Sequence, residues 1–204
     1  MLTLYGCEIS GNSYKTKLTC ELLDIDYNWI EINLFASEHK QPEFLEINPL
    51  GQLPTLVIST DNEHCEPSIL LESNAIMCYL ARDSYLIPTD PIDYAKMLQW
   101  LFFEQAEIKT NIGAVRFIKR FQNMPSSRLT EYEQKFARSQ YILSYLDQHL
   151  ADNRFLIGDT VCLADISVYV YTQLAEEGGL ELANYPNLQA WFKRVEELEG
   201  FIKM

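Results

Sequence analysis

Apolar and polar positions alternate in two different periods along this chain, and the change of period divides it in two. Leu2-Thr3-Leu4-Tyr5 is a short apolar run bounded by Gly6. Tyr14, Leu18, Leu22 and Leu23 fall on one face of a helix. Tyr27 to Ile32 alternates with the period of a strand. The three together predict a βαβ unit with parallel strands. Thr55-Leu56-Val57-Ile58 and Ser68-Ile69-Leu70-Leu71 predict a hairpin turning at Asp61-Asn62-Glu63, and Ser73 to Ala81 predicts a helix.

Beyond Pro91 the strand signals stop. Leu98, Leu101, Phe102, Ile108, Ile112, Val115 and Ile118 recur every three or four positions, which predicts one long helix over 92–121. Further helices are predicted over 130–150, 163–175 and 187–198. The segment 163–175 is apolar on nearly every side and should be central. Pro88 and Pro91 interrupt helix propagation and mark the boundary. The expected architecture is an α/β domain over residues 1–83, ordered βαβ-ββα, followed by an all-helical domain over 91–204.

Composition narrows the function. The chain has 204 residues, enough for two small domains with real cores. Sixteen basic against twenty-nine acidic side chains give −13, and residues 1–83 alone carry −9. This balance argues against nucleic acid and anionic membranes, which need a basic footprint. No stretch is long enough to span a bilayer, and the first ten residues read as a strand rather than a signal peptide. Five cysteines without CxxC spacing point to the cytoplasm. Three histidines without ligand spacing, His64-Cys65 included, give no expectation of a metal.

Three segments stand out. The stretch from Tyr5 to Ser13 joins the first strand to the first helix, where α/β sheets usually place ligands. Ser10, Asn12 and Ser13 are all good helix caps, and a hydroxyl there can also stabilise an anion. Cys7 competes as a reactive thiol, but acidic Glu8 stands beside it and no cation is near. In Asn48 to Thr55, a cis Leu53-Pro54 bond would turn Leu53's N–H and C=O outward to pair with a peptide backbone; an ordinary trans loop is the alternative. In Glu72-Ser73, Ser73 reads as the cap of the next helix. Glu72 is either a solvated acid or a receiver of an ammonium, with Ser73 taking the neighbouring carboxylate.

These motifs resemble the glutathione transferases over essentially the whole chain: SGNSYK at 10–15, NPLGQLPTL at 48–56, ESNAIMCYLA at 72–81, GDTVCLADIS at 158–167 and YPNLQAWFKRV at 185–195. The resemblance implies a thioredoxin-like glutathione-binding domain and a helical second domain. It is nearest to theta-like and related bacterial enzymes that use serine. Ser10 then holds the glutathione thiolate with support from Asn12; Tyr5 and Cys7 are rivals for that role. Leu53 before Pro54 pairs with the cysteinyl unit, Glu72 and Ser73 hold the γ-glutamyl end, Gln52 contacts glutathione, and His39 or Lys40 reaches the glycyl carboxylate.

The resemblance further implies an electrophile site between the domains, with Trp100, Phe103, Arg116 and Phe117 as candidates and core packing as their alternative. It implies a homodimer, with Glu104 either crossing to the ligand or lying on the surface. The expected activity is conjugation of glutathione to small hydrophobic electrophiles, as in detoxification. A glutathione-dependent peroxidase or disulfide reductase, and a non-catalytic interaction protein, remain as alternatives. One departure from the family is Cys162, where a helix-capping box would have Ser or Thr three residues before Asp165; half of the box is expected to survive.

Overall fold

The computed structural model describes residues 1–60 and 66–204, so the expected turn at Asp61-Asn62-Glu63 and the His64-Cys65 pair lie outside the described residues. The chain divides into two compact units: residues 1–84 with 199–204, and residues 85–198. The last six residues therefore cluster with the first unit, whereas the sequence pattern assigns them to the helical one.

The first unit holds a four-stranded sheet in the order β2-β1-β3-β4. The strands are β1 (Leu2–Gly6), β2 (Asn28–Glu31), β3 (Thr55–Ile58) and β4 (Ser68–Leu70). β1 and β2 are parallel, as the βαβ pattern predicts, and β1–β3 and β3–β4 are antiparallel. Helices α1 (Gly11–Leu22) and α3 (Ser73–Ala81) close the core: Leu4 and Leu56 of the sheet pack with Cys20, Ile76 and Leu80. α1 begins three residues before the apolar stripe that reveals it, because Ser10 caps it there. A short helix, α2 (Pro42–Ile47), goes unread in the sequence; Pro42 at its first position starts it and Phe44 anchors it against Tyr5.

In the second unit α4 (Pro91–Phe103) is capped by Asp90 and continues through wide π turns (Glu104–Gly113), α5 (Ala114–Arg116) and a last π segment (Phe117–Phe121). The expected stripe is buried at Leu101, Ile108, Ile112, Val115 and Ile118, but Phe102 is 71% exposed. Phe102 lies within the regular turns of α4, one step of about 100° beyond Leu101, which carries it off the buried face. α6 (Leu129–Asp152) and α8 (Pro186–Glu196) follow the sequence pattern. α7 (Leu163–Gln173) is buried from Leu163 to Thr172, as its all-round apolar pattern requires.

Asp165, wholly buried in α7, accepts bonds from Leu156 N–H, Cys162 N–H and the Trp191 indole, each at 2.9 Å. Both arms of the capping box are present, with the Cys162 sulfur standing in for a hydroxyl. This corrects the expectation of half a box.

Glu104 needs a second correction. It is completely buried, not on the surface: its Oε2 accepts from Ser167 Oγ at 3.2 Å and from Gln105 Nε2 at 2.9 Å.

Candidate functional site

The sheet register brings three of the sequence motifs to one end. Tyr5 pairs with Thr55, so the exit of β1 and the entrance of β3 share that end. Leu56 pairs with Leu70, so β4 leaves there too. Ser10 follows β1, Leu53-Pro54 precedes β3, and Glu72-Ser73 follows β4. The N-termini of α1 and α3 consequently open on the same end, each with unpaired backbone N–H groups and a partial positive charge.

Ser10 is the cap of α1. Its Oγ accepts the Ser13 N–H at 3.3 Å, and its own N–H donates to Cys7 O at 2.9 Å. A hydroxyl that accepts with a lone pair keeps its proton to donate, so capping and anion binding are compatible roles for one side chain.

Tyr14, close to Ser10 in α1, is buried and donates to Ile202 O at 2.5 Å. Of the two rivals of Ser10, Tyr5 lies edge-on to Phe44 at 5.9 Å. Cys7 is 5% exposed, and burial raises its thiol above the ordinary value, with Glu31 adding to the rise.

The Leu53-Pro54 bond is cis. Among the described residues no backbone group bonds the N–H or C=O of Leu53. The loop before it is held by Asn48, a residue whose role the sequence did not reveal. Asn48 is 1% exposed; its Nδ2 donates to Gln52 O (2.9 Å) and Thr55 Oγ1 (3.1 Å), and its Oδ1 accepts from Leu50 N–H (3.0 Å). An Asn ahead of Pro-x-Gly is an ordinary turn signal, and nothing in that pattern reports its burial. The Gln52 side chain is exposed.

The turn carrying His39 and Lys40 is pinned to this loop. Lys40 Nζ donates to Leu50 O and Gly51 O, both at 2.9 Å, which uses two of its three protons. Gly51 has φ +57, and a Cβ there would come within 2.5 Å of His39 O. His39 is neutral at lower pH than usual because burial, and then Lys40, disfavour its cation.

Glu72, not Ser73, occupies the cap position of α3, which corrects the sequence reading. Its side chain makes no cap bond and is exposed, and its backbone sits at φ 67, ψ 114. A non-glycine residue held at positive φ is strained, and such strain concentrates at functional sites. Ser73 is the first helical residue and 3% exposed.

Among the described residues, Asn12 Oδ1, Ser13 Oγ, His39 Nδ1 and Ser73 Oγ are buried without a hydrogen-bond partner. All four belong to the segments that build this end. Buried polar atoms are rarely left so, and each calls for an explanation. No group of three or more His, Cys, Asp or Glu among the described residues is arranged for a metal.

The four electrophile candidates lie in the helical unit and fall into two groups. Trp100 is 5% exposed and packs at right angles on Phe103 (5.5 Å), with Tyr145 and His149 at 6.0 and 5.0 Å. Arg116 is buried; its Nε pairs with Glu177 Oε2 at 2.5 Å, and its guanidinium lies over Phe121. Phe117 is half exposed and tilts against Phe121 at 6.0 Å. Seventeen positions of one helical path separate Trp100 from Phe117, on the order of 20 Å. One small pocket cannot contain all four.

Sequence models of the glutathione S-transferase N-terminal and C-terminal domains match residues 9–83 and 97–199. A glutathione S-transferase from Pseudomonas fluorescens has a similar solved structure: TM-score 0.92, 35% identity, 99% of this chain and 98% of that one. A disulfide-bond oxidoreductase of Escherichia coli is 27% identical over 96% of this chain and 90% of its own. A glutathione transferase from Phanerochaete chrysosporium, solved in complex with oxidized glutathione, is 25% identical with TM-score 0.83, covering 98% of this chain and 92% of that one.

Proposed function

The chain belongs to the glutathione S-transferase family, and on that premise we propose that it conjugates glutathione to small hydrophobic electrophiles, with Ser10 holding the thiolate. The observation that carries this reading is that the segments sharing one end of the sheet hold a capping hydroxyl with a free proton, an unbonded Leu53 backbone and unpartnered buried polar atoms.

The proposed roles follow from chemistry. Leu53's N–H and C=O pair with the cysteinyl unit as an added strand. Glu72, exposed and uncommitted to its helix, receives the γ-glutamyl ammonium. Ser73 and the α3 N-terminus receive the adjacent carboxylate. Gln52 contacts the tripeptide from the rim. His39 and the remaining proton of Lys40 meet the glycyl carboxylate. Ser10 donates to the sulfur, with Asn12 beside it. A free thiol titrates at about 8.5, so stabilising its anion by ~2 units, roughly 2.7 kcal/mol, ionises most of it at neutral pH. A charge-assisted hydrogen bond and a helix N-terminus supply about that much.

For the electrophile, Phe103 and Phe117 are the candidates that retain exposed surface; Trp100 would support Phe103, and Arg116 would act on Phe117 only through Phe121, which touches both. A cytoplasmic homodimer is part of the same proposal. No helix among the described residues is long and apolar enough to cross a membrane.

The test is glutathione-dependent conjugation of chlorodinitrobenzene, run beside a glutathione thermal shift. Turnover with a shift is expected. A second reading is favoured by the 27% identity to the oxidoreductase: two glutathione thiols would reduce one disulfide substrate, yielding glutathione disulfide and two thiols. A shift with disulfide reduction but no conjugation would select it. Neither shift nor turnover would leave a non-catalytic interaction protein.

A further inference from the structure

Glu31 ends β2 and lies opposite Gly6, the last residue of β1. Its two carboxylate oxygens are both used. Oε1 accepts the Glu8 N–H at 3.1 Å, and Oε2 accepts the Trp29 indole N–H at 3.0 Å. Glu8 sits in the middle of the Cys7–Ser10 turn, which closes on itself through Ser10 N–H to Cys7 O. The strand β2 thus grips the turn that delivers Ser10 to α1.

The grip is itself supported. The Trp29 ring lies so close over Gly6 that a Cβ there would come within 2.2 Å of it, so only glycine at 6 leaves the indole room to aim at Glu31. Lys17 of α1 stands 5.0 Å above the same ring. Beside Trp29, a cleft of about 180 Å³ is lined by Glu8, Tyr14, Lys17 and the tail residues Ile202 to Met204. Cys7 of the turn interacts with the Glu31 carboxylate, and the titratable groups lining the neighbouring cleft are Glu8, Tyr14, Lys17 and Lys203.

We propose that Glu31 is a positioning residue for Ser10: its carboxylate, aimed by the Trp29 indole, fixes the Cys7–Ser10 turn so that the Ser10 hydroxyl meets the glutathione sulfur. This rests on the reading of Ser10 given above. Two opposing effects make it testable. If Glu31 acted only through its charge, removing it would relieve repulsion and lower the pKa of the bound thiol. If it acts by position, removing it loosens the donor and raises that pKa.

The experiment measures thiol ionisation in the glutathione complex by ultraviolet difference titration, which needs no electrophile, and follows kcat against pH in parallel. Glu31→Ala should raise the bound thiol's pKa by about one unit, costing about tenfold in rate below it and little above it. KM for glutathione should stay within about twofold, because Glu72, Ser73 and Leu53 are untouched. Glu31→Gln keeps one acceptor for two donors and should fall between; it carries the test if Glu31→Ala does not fold. A pKa that falls or stays in place in both variants, while Ser10→Ala still loses the thiolate, overturns the role of Glu31 alone. A Ser10→Ala variant that keeps the thiolate overturns the underlying reading instead.

Discussion

The Tyr14 hydroxyl and the Ile202 carbonyl, 188 positions apart in sequence, are joined at 2.5 Å. This bond ties the chain's last residues to α1, one turn from Ser10. Tyr14→Phe should lower stability by about 1 kcal/mol, the usual net contribution of such a bond. Urea unfolding checks it. An unchanged midpoint and slope would show that the tail is not held by this bond.

Ser10 caps α1 and is proposed to hold the sulfur, so Ser10→Ala should fail in two separable ways. Stability should drop by about 1 kcal/mol from the lost cap. Turnover should drop at least about tenfold with glutathione binding largely kept, as for an interaction that matters to the ionised sulfur. Ser10→Asn, a good cap without a hydroxyl, should restore stability and leave turnover low. Full activity in either variant would remove Ser10 from the chemistry.

Gly51 faces two obstacles to any side chain: φ +57, and the His39 carbonyl 2.5 Å from where Cβ would lie. Left-handed backbone alone costs a non-glycine residue about 1–2 kcal/mol. Gly51→Ala should therefore lose at least that in chemical denaturation, and should weaken glutathione binding by displacing the His39–Lys40 turn. A variant as stable and as tight as the parent would contradict the close packing of these two loops.

His39 has a depressed pKa, caused first by burial and then by Lys40. At pH 7 and above it is neutral folded or unfolded and contributes nothing. As pH falls through its ordinary value, the unfolded chain takes up the proton first, and stability falls. A bound carboxylate reverses the preference, so between about pH 8 and 6 His39 should take up a proton on glutathione binding, offsetting part of the proton that the thiol releases as it ionises. Calorimetry in two buffers of different ionisation enthalpy measures the net count. His39→Asn should increase the net proton release; an unchanged net count would assign no proton to His39.

Cys162 holds the capping-box position of α7 with a sulfur acceptor, and burial keeps its thiol protonated far above the ordinary value. Replacing it by a better acceptor, in Cys162→Thr, should stabilise by about 0.5–1 kcal/mol. A lower melting temperature would show that packing around the sulfur outweighs the hydrogen bond.

Much of this protein is legible in one dimension. The change from period two to period 3.6 near Pro91 separates a mixed sheet from a helical unit, because side-chain direction repeats with backbone geometry whatever the neighbours are. Ser10, Pro54 and the Glu72-Ser73 pair stand out because caps and proline constrain the backbone locally. What the sequence misreads depends on other parts of the chain. Glu104 reads as a surface acid, but it falls four positions after buried Trp100 and four before buried Ile108, on the inward face, where Ser167 donates to it. Ser73 looks like a cap, but the chain leaving β4 gives that position to Glu72 at positive φ. Arg116 looks like a ligand group until Glu177, sixty-one positions away, takes its guanidinium. Asn48 and Glu31 are ordinary polar residues in the sequence, and the bonds of Lys40 to Leu50 and Gly51 are not legible there. Their hydrogen bonds join segments that the sheet register brings to the same end, and bonds between distant segments leave no periodic trace in either one.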